Sequence, residues 1–171
     1  MSKTKTSKLL LKYKNNLVEK ILSRIPEKDF KDKSKVFFDP SIGSGQLVSA
    51  IEQKLIDCGN TIKDVSKRVI GLEDNNYDLN IAKHKNYLVG KYMKSTLFNM
   101  SKEVKNTLKD IDPKNIRTLT NPPYGGSKEL HQRFYNEMCK IAGLVVTIQP
   151  ATPYINKNKP RKHEAEMIDN I

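Results

Sequence analysis

Asn121-Pro122-Pro123-Tyr124 is the segment of this chain best suited to chemistry. Two consecutive prolines fix two backbone φ angles and remove two N–H donors, so the turn presents carbonyl acceptors in a rigid arrangement. Asn121 adds a side-chain acceptor and a donor group. Tyr124 offers an aromatic face and a hydroxyl, and Gly125-Gly126 leaves open space beside it. Together these groups can accept both hydrogens of an exocyclic amine and stack its ring. The same residues also make a rigid strand-to-loop junction with a packed tyrosine, and the tetrapeptide alone does not choose between the two.

A second constellation lies earlier, in Asp39-Pro40-Ser41-Ile42-Gly43-Ser44-Gly45. Gly43 and Gly45 remove side chains where a ligand and the backbone come close. The helix expected to start near Gly45 presents free N–H groups. The segment lacks the Gly-Lys-Ser/Thr ending of an ATP or GTP phosphate loop, and it lacks the third glycine of the dinucleotide fingerprint. Asp39 closes the preceding strand, where a carboxylate can hold a cationic or hydroxylated group. The plainer alternative is a tight turn with Ser41 or Ser44 capping the helix. Glu73 ends the next apolar run, Val69-Ile70-Gly71-Leu72. It comes later than the roughly 20-residue spacing of dinucleotide folds. A carboxylate there can accept both hydroxyls of a ribose. Alternatively Glu73 is a surface residue and Asp74 a helix cap.

The elements that must position these residues follow from periodicity. Leu9, Leu10, Tyr13, Leu17, Ile21, Leu22 and Ile25 recur at helical spacing over residues 9–25, and Pro26 stops that helix. Residues 28–35 read as a charged loop, and Val36-Phe37-Phe38 as a strand. A helix over residues 46–58 carries Leu47, Val48, Ile51, Leu55 and Ile56 as its buried stripe, closed by Gly59-Asn60. Residues 67–72 read as a strand. A helix over 75–86 follows, with Tyr77, Leu79, Ile81 and Ala82 as its apolar residues. A short strand near 92–94 leads into irregular chain or a weak helix up to Leu108. Residues 116–120 form a strand, 128–141 a helix, and 143–148 the most apolar strand. The alternation predicts an α/β fold: a mainly parallel sheet with helices on both faces, its polar and glycine-rich turns at the carboxyl ends of the strands.

Composition bounds the partners. The chain has 171 residues, 31 Lys+Arg against 19 Asp+Glu, and a formal charge of +12. That is the size of one domain with one real core. A charge of that sign permits nucleic acid, although a Lys-, Asn- and Ile-rich composition also arises from an AT-rich genome. Cys58 and Cys139 stand far apart without a CxxC partner, which argues against a disulfide framework or structural zinc and for a reducing compartment. No apolar run approaches 18 residues, so no membrane span is expected and the cytoplasm is the default location. Residues 1–8 read as a loose basic tail, 9–155 as the core, and 156–171 as a basic polar segment.

In their order along the chain, the Asp39–Gly45 turn, Glu73 and Asn121-Pro122-Pro123-Tyr124 strongly resemble the N6-adenine-specific DNA methyltransferases, over roughly residues 9–155. The resemblance implies a Rossmann-like methyltransferase fold and S-adenosylmethionine (SAM) as cofactor. It implies that Asp39, Pro40, Ser41, Gly43 and Gly45 lie around the methionine part of SAM, beside the helix of residues 9–25, and that Glu73 binds the ribose. It implies that Asn121 and the Pro122 carbonyl bind the target amine in the rigid turn that Pro123 completes, and that Tyr124 stacks a flipped adenine of double-stranded DNA. The sequence departs from the family in three places. Asp74 stands where an apolar residue usually packs on the cofactor adenine. Ser95 aligns with the acidic residue that usually contacts the cofactor amine. The family's sheet has seven strands and a target-reading region, whereas five strands are legible here, so the expectation is a partial catalytic core completed by a second polypeptide or by self-association. Related enzymes use the same tetrapeptide on nitrogens of RNA or protein, and a non-catalytic binding protein that keeps the fold is the alternative of a different class.

Overall fold

The apolar runs form strands whose neighbours are set by helical crossovers. A computed structural model describes residues 17–86, 88–123 and 130–148. The expected tail, Tyr124 and the basic segment 156–171 therefore lie outside the described residues. A helix, α1, covers residues 17–22, and α2 (Glu27–Lys31) follows Pro26. Then come β1 (Val36–Asp39), α3 (Gln46–Asp57), α4 (Ile62–Arg68), β2 (Val69–Glu73), α5 (Asn76–Asn86) and β3 (Lys91–Lys94). The chain continues through α6 (Lys102–Leu108), a 3-10 turn (Pro113–Asn115), β4 (Ile116–Thr120), α7 (Leu130–Ile141) and β5 (Leu144–Thr147).

The five strands pair in parallel in the order β3-β2-β1-β4-β5. This order is that of the Rossmann-like fold of SAM-dependent methyltransferases, so the expected fold class holds. β1 is central, with Phe38 beside Ile70 of β2 on one side and Thr118 of β4 on the other. The chain runs outward from β1 through β2 to β3, then returns across β1 to start β4. The reversal opens a crevice between the carboxyl ends of β1 and β4, which is where open parallel sheets bind ligands.

Alternation along the strands sends side chains to two separate cores. Phe37, Val69, Tyr92 and Leu119 pack with Val48, Ile51 and Leu55 of α3, Val65 of α4 and Leu79 and Ala82 of α5. Phe38, Ile70, Leu72, Met93 and Ile116 pack on the other face with Val104 of α6 and Phe134 and Met138 of α7. β5 is half-buried along its whole length and forms one edge of the described sheet.

Several expectations need correction. Residues 27–31 are a helix rather than loop, because Phe30 tucks into the core and stacks on Phe37 with ring centroids 4.9 Å apart. Ile56, placed in a buried stripe by periodicity, is 42% exposed, and Tyr77, one of the apolar residues of the next helix, is 72% exposed. No element was expected over 60–66 and a strand from 67, yet α4 runs through Arg68, started by a reciprocal capping box between Thr61 and Asp64, and the strand begins only at Val69.

Candidate functional site

The turn after β1 is shaped by glycine backbone and by Glu73. Gly45 has φ +81°, and a Cβ there would approach Ala82 Cβ and Asn86 Nδ2 to 2.9 Å. It is the N-cap of α3, so neither Ser41 nor Ser44 caps that helix by its side chain, contrary to the plainer expectation. Gly43 also has positive φ, +51°, but a Cβ there would meet nothing within 4 Å, so this part of the turn faces open space. The Gly43 N–H donates to Glu73 Oε2 at 2.8 Å, and the Ile42 N–H donates to the Leu72 carbonyl at 2.9 Å. From the far side Asn86 Nδ2 donates to the Ser44 carbonyl at 2.9 Å. The turn is thus pinned to the ends of β2 and α5.

Asp39 lies at the centre of the site, 2% exposed. Burial pushes its carboxyl up to about 7 from the ordinary 3.8. The Thr120 hydroxyl and the Ser41 N–H, which donates at 3.0 Å, pull the other way, and nearby Glu73 adds to the rise. Thr120 Oγ1 acts on Asp39 by proximity, since it is buried without a hydrogen bond of ordinary geometry. A buried acid poised near neutrality beside an unpartnered hydroxyl is unusual in a structural role, because buried polar groups are nearly always satisfied.

Two cavities open at the carboxyl end of the sheet. One, of about 430 Å³, is lined by Asp39, Ser41, Gly43, Asn121, Pro122 and Pro123, with Leu17, Val18 and Ile21 of the α1 region on its apolar side. The other, of about 350 Å³, is lined by Pro40, Ser41, Glu73, Asp74, Ser95 and Pro123 together with aromatic residues of the opposite core. Ser41 and Pro123 belong to both, so the cavities meet over these two residues.

No protein-family model matches this chain, and no curated protein does. The likeness to methyltransferases rests on strand order and on the motifs themselves. All the expected site residues that are described gather around the two cavities except Gly45, which acts through the backbone of the turn. Asn121 is exposed and Pro122 buried.

Ser95 and Asp74 differ from what their positions imply in the family pattern. The Ser95 hydroxyl donates to the Asn99 carbonyl at 3.3 Å and accepts the Ser101 N–H at 3.0 Å, so its proton and one of its two lone pairs are held by its own loop. Asp74 does not cap α5, because Asn75 Oδ1 accepts the Tyr77 N–H at 2.9 Å and fills that role. Sequence reasoning missed Phe98, an aromatic in an irregular stretch with no periodic signal. It missed Thr120 as well, whose importance comes only from its position beside a buried acid.

Proposed function

We propose that this protein transfers a methyl group from SAM to the N6 amine of adenine in DNA. The observation that carries the reading is the convergence of Asp39, Gly43, Asn121 and Pro122 on one cavity at the β1/β4 switch point. The donor set suits the cofactor. A buried carboxylate suits a cationic amino acid moiety, Glu73 suits a ribose diol, and the Gly43 turn leaves room for close approach. When bound, SAM supplies a methyl group on a sulfonium, activated for in-line displacement.

The chain's own residues act on the acceptor. Adenine N6 is a poor nucleophile because its lone pair is delocalised into the ring. Asn121 Oδ1 and the Pro122 carbonyl accept its two hydrogens, which favours a pyramidal nitrogen with its lone pair free of the ring. Tyr124 stacks on the extruded base, with no covalent enzyme intermediate. Orientation and preorganised dipoles supply most of the rate.

The test follows labelled methyl from SAM into DNA containing unmodified adenine, with Asn121→Ala alongside. Label at adenine N6, abolished in the variant while SAM binding stays nearly intact, supports the reading. Label in cytosine, label in protein only, or full activity of the variant overturns it.

A further inference from the structure

The smaller cavity has features of its own. Phe98 lines it while 40% exposed, and its ring meets Phe134 edge-on at a centroid distance of 4.8 Å. The Arg133 guanidinium lies over the Phe98 ring, 4.8 Å from its centroid, so the ring is braced from two directions. A large aromatic braced in this way yet left in a cavity is a surface available for stacking. On the same cavity stand Glu73 and Asp74. The Glu73 oxygens each accept one N–H, from Gly43 and from Asn75, which leaves lone pairs on both. The Asp74 carboxylate is exposed and has no partner among the described residues. Ser95, also on this cavity, has its hydroxyl proton on the Asn99 carbonyl and one lone pair on the Ser101 N–H, so it offers an amine one remaining uncharged lone pair against the full carboxylate of Asp74.

We infer that Phe98 and Asp74 read the base of the cofactor, Phe98 as its stacking platform and Asp74 as the acceptor for its exocyclic amine. The inference rests on the proposal that SAM is the cofactor, and it assigns the base to residues other than those the family pattern would use. In that pattern an apolar residue follows the ribose-binding acid and a carboxylate ends the third strand. Here the two chemistries have changed places: the carboxylate follows Glu73, and the apolar surface comes from the loop after β3 and from α7. A ribose held by Glu73 directs its base into this cavity, where a carboxylate attracts an amine hydrogen and repels a carbonyl oxygen. Asp74 is then a specificity determinant for an amino-purine over an oxo-purine.

Calorimetry on the full chain tests this with two ligands, S-adenosylhomocysteine and S-inosylhomocysteine, which differ by an amine against a carbonyl at one ring carbon. The wild-type protein should prefer the adenosyl ligand by roughly tenfold to a hundredfold, as a hydrogen bond to a charged group allows. Asp74→Leu should bring the two ligands within about twofold, mainly by weakening the adenosyl one. Phe98→Ala should weaken both by roughly tenfold or more while keeping the preference. Asp74 is exposed and without a partner among the described residues, so Asp74→Leu should melt as the wild type does, whereas Phe98→Ala gives up contacts with Phe134 and Arg133 and its affinities are compared per folded molecule. Equal binding of the two ligands by the wild type, or an intact preference in Asp74→Leu, overturns the assignment of Asp74 while leaving SAM as cofactor. Unchanged affinity in Phe98→Ala overturns the platform. Failure of the wild type to bind either ligand overturns the proposed cofactor and this inference together.

Discussion

The two ends of the same sheet treat buried polar groups in opposite ways. At the amino end, Arg68 donates to the carbonyls of Asp29, Phe30, Asp32 and Lys35 and to Asn60 Oδ1. Beside it the Asp29 carboxylate pairs with the Arg117 guanidinium, both nearly inaccessible, and Arg117 also donates to the Lys114 and Ile116 carbonyls. At the carboxyl end, among the described residues, Asp39 accepts one N–H and faces no cation, and Thr120, the last residue of β4, has a buried hydroxyl without a hydrogen bond of ordinary geometry, as does Thr118 in mid-strand. A fold that satisfies buried charge this thoroughly at one end is capable of doing so at the other. Of the groups at the carboxyl end, Asp39 lines the larger cavity, so its carboxyl is the one whose polar capacity stands open to a ligand.

The largest effect expected from this contrast is at the amino end. Arg68→Ala removes five hydrogen bonds at once and strips Phe37 of the guanidinium that lies 5.6 Å from its ring centroid. Breaking a buried charged network typically costs about 3–5 kcal/mol. Urea unfolding should show that loss, while the molecules still folded bind SAM as the wild type does. A fall in affinity per folded molecule would mean that the two ends are coupled.

Asp39→Asn should do the reverse at the other end. In the fold the Asp39 carboxyl holds its proton more tightly than in the unfolded chain. Its stabilising contribution is therefore full below about pH 4 and is lost as the pH climbs to about 7. The interval from 3.8 to about 7 sets a ceiling of about 4 kcal/mol on that loss. The amide cannot ionise, so the variant should match the wild type near pH 4 and exceed it at pH 8. SAM affinity should move oppositely. In the wild type it should strengthen as the pH rises through 7, because the carboxylate form attracts the cationic ligand, and in the variant that rise should vanish. A variant no more stable than wild type at pH 8 would break the account of Asp39.

Glu73→Ala is expected to be milder for the fold and selective for the ligand. It removes the acceptor of the Gly43 and Asn75 N–H groups together with the ribose contact proposed for it. Hydrogen bonds to a charged acceptor are worth about 1.5–3 kcal/mol, so calorimetry should show SAM affinity reduced roughly tenfold to a hundredfold. Equal affinity in the variant would remove Glu73 from the ribose assignment.

The contrast also explains what could be read from sequence. β1 and β5 were legible because apolar runs end abruptly after Phe38 and Ile148, β4 because its β-branched residues stop at Asn121-Pro122-Pro123, and the site motifs of β1 and β4 begin where those strands stop. The amino-end network was not. Periodicity puts Arg68 at the start of a strand and Asn60 at a helix end, and neither reading shows that they meet until α4, started by the Thr61–Asp64 capping box, folds between α3 and β2. α2 was hidden by its charge: of Glu27–Lys31 only Phe30 is apolar, and tertiary packing rather than periodicity decides its conformation. Phe98 was illegible for a related reason. It sits in a loop, and its place in the cavity depends on Phe134 and Arg133, far along the chain.

The smallest expected effect separates the two buried threonines. Thr118 and Thr120 both carry buried hydroxyls without a hydrogen bond of ordinary geometry among the described residues. Replacing either by valine exchanges a poorly satisfied polar group for a methyl of similar shape, at full value for Thr118 and, for Thr120, only while Asp39 holds its proton. Such an exchange is neutral or stabilising by about 1 kcal/mol. The two differ in one respect: Thr120 pulls the Asp39 carboxyl downward, and Thr118 has no part in setting it. Thr120→Val should therefore shift the pH dependence of stability upward, as Asp39 loses a neighbour that favours its charged form. Thr118→Val should raise the urea midpoint slightly and leave that pH dependence where it was. Midpoints measured from pH 5 to 9 for both variants decide the matter. Parallel curves for the two would show that Thr120 does not act on Asp39, and the carboxyl end would then be merely under-packed rather than poised for a cationic ligand.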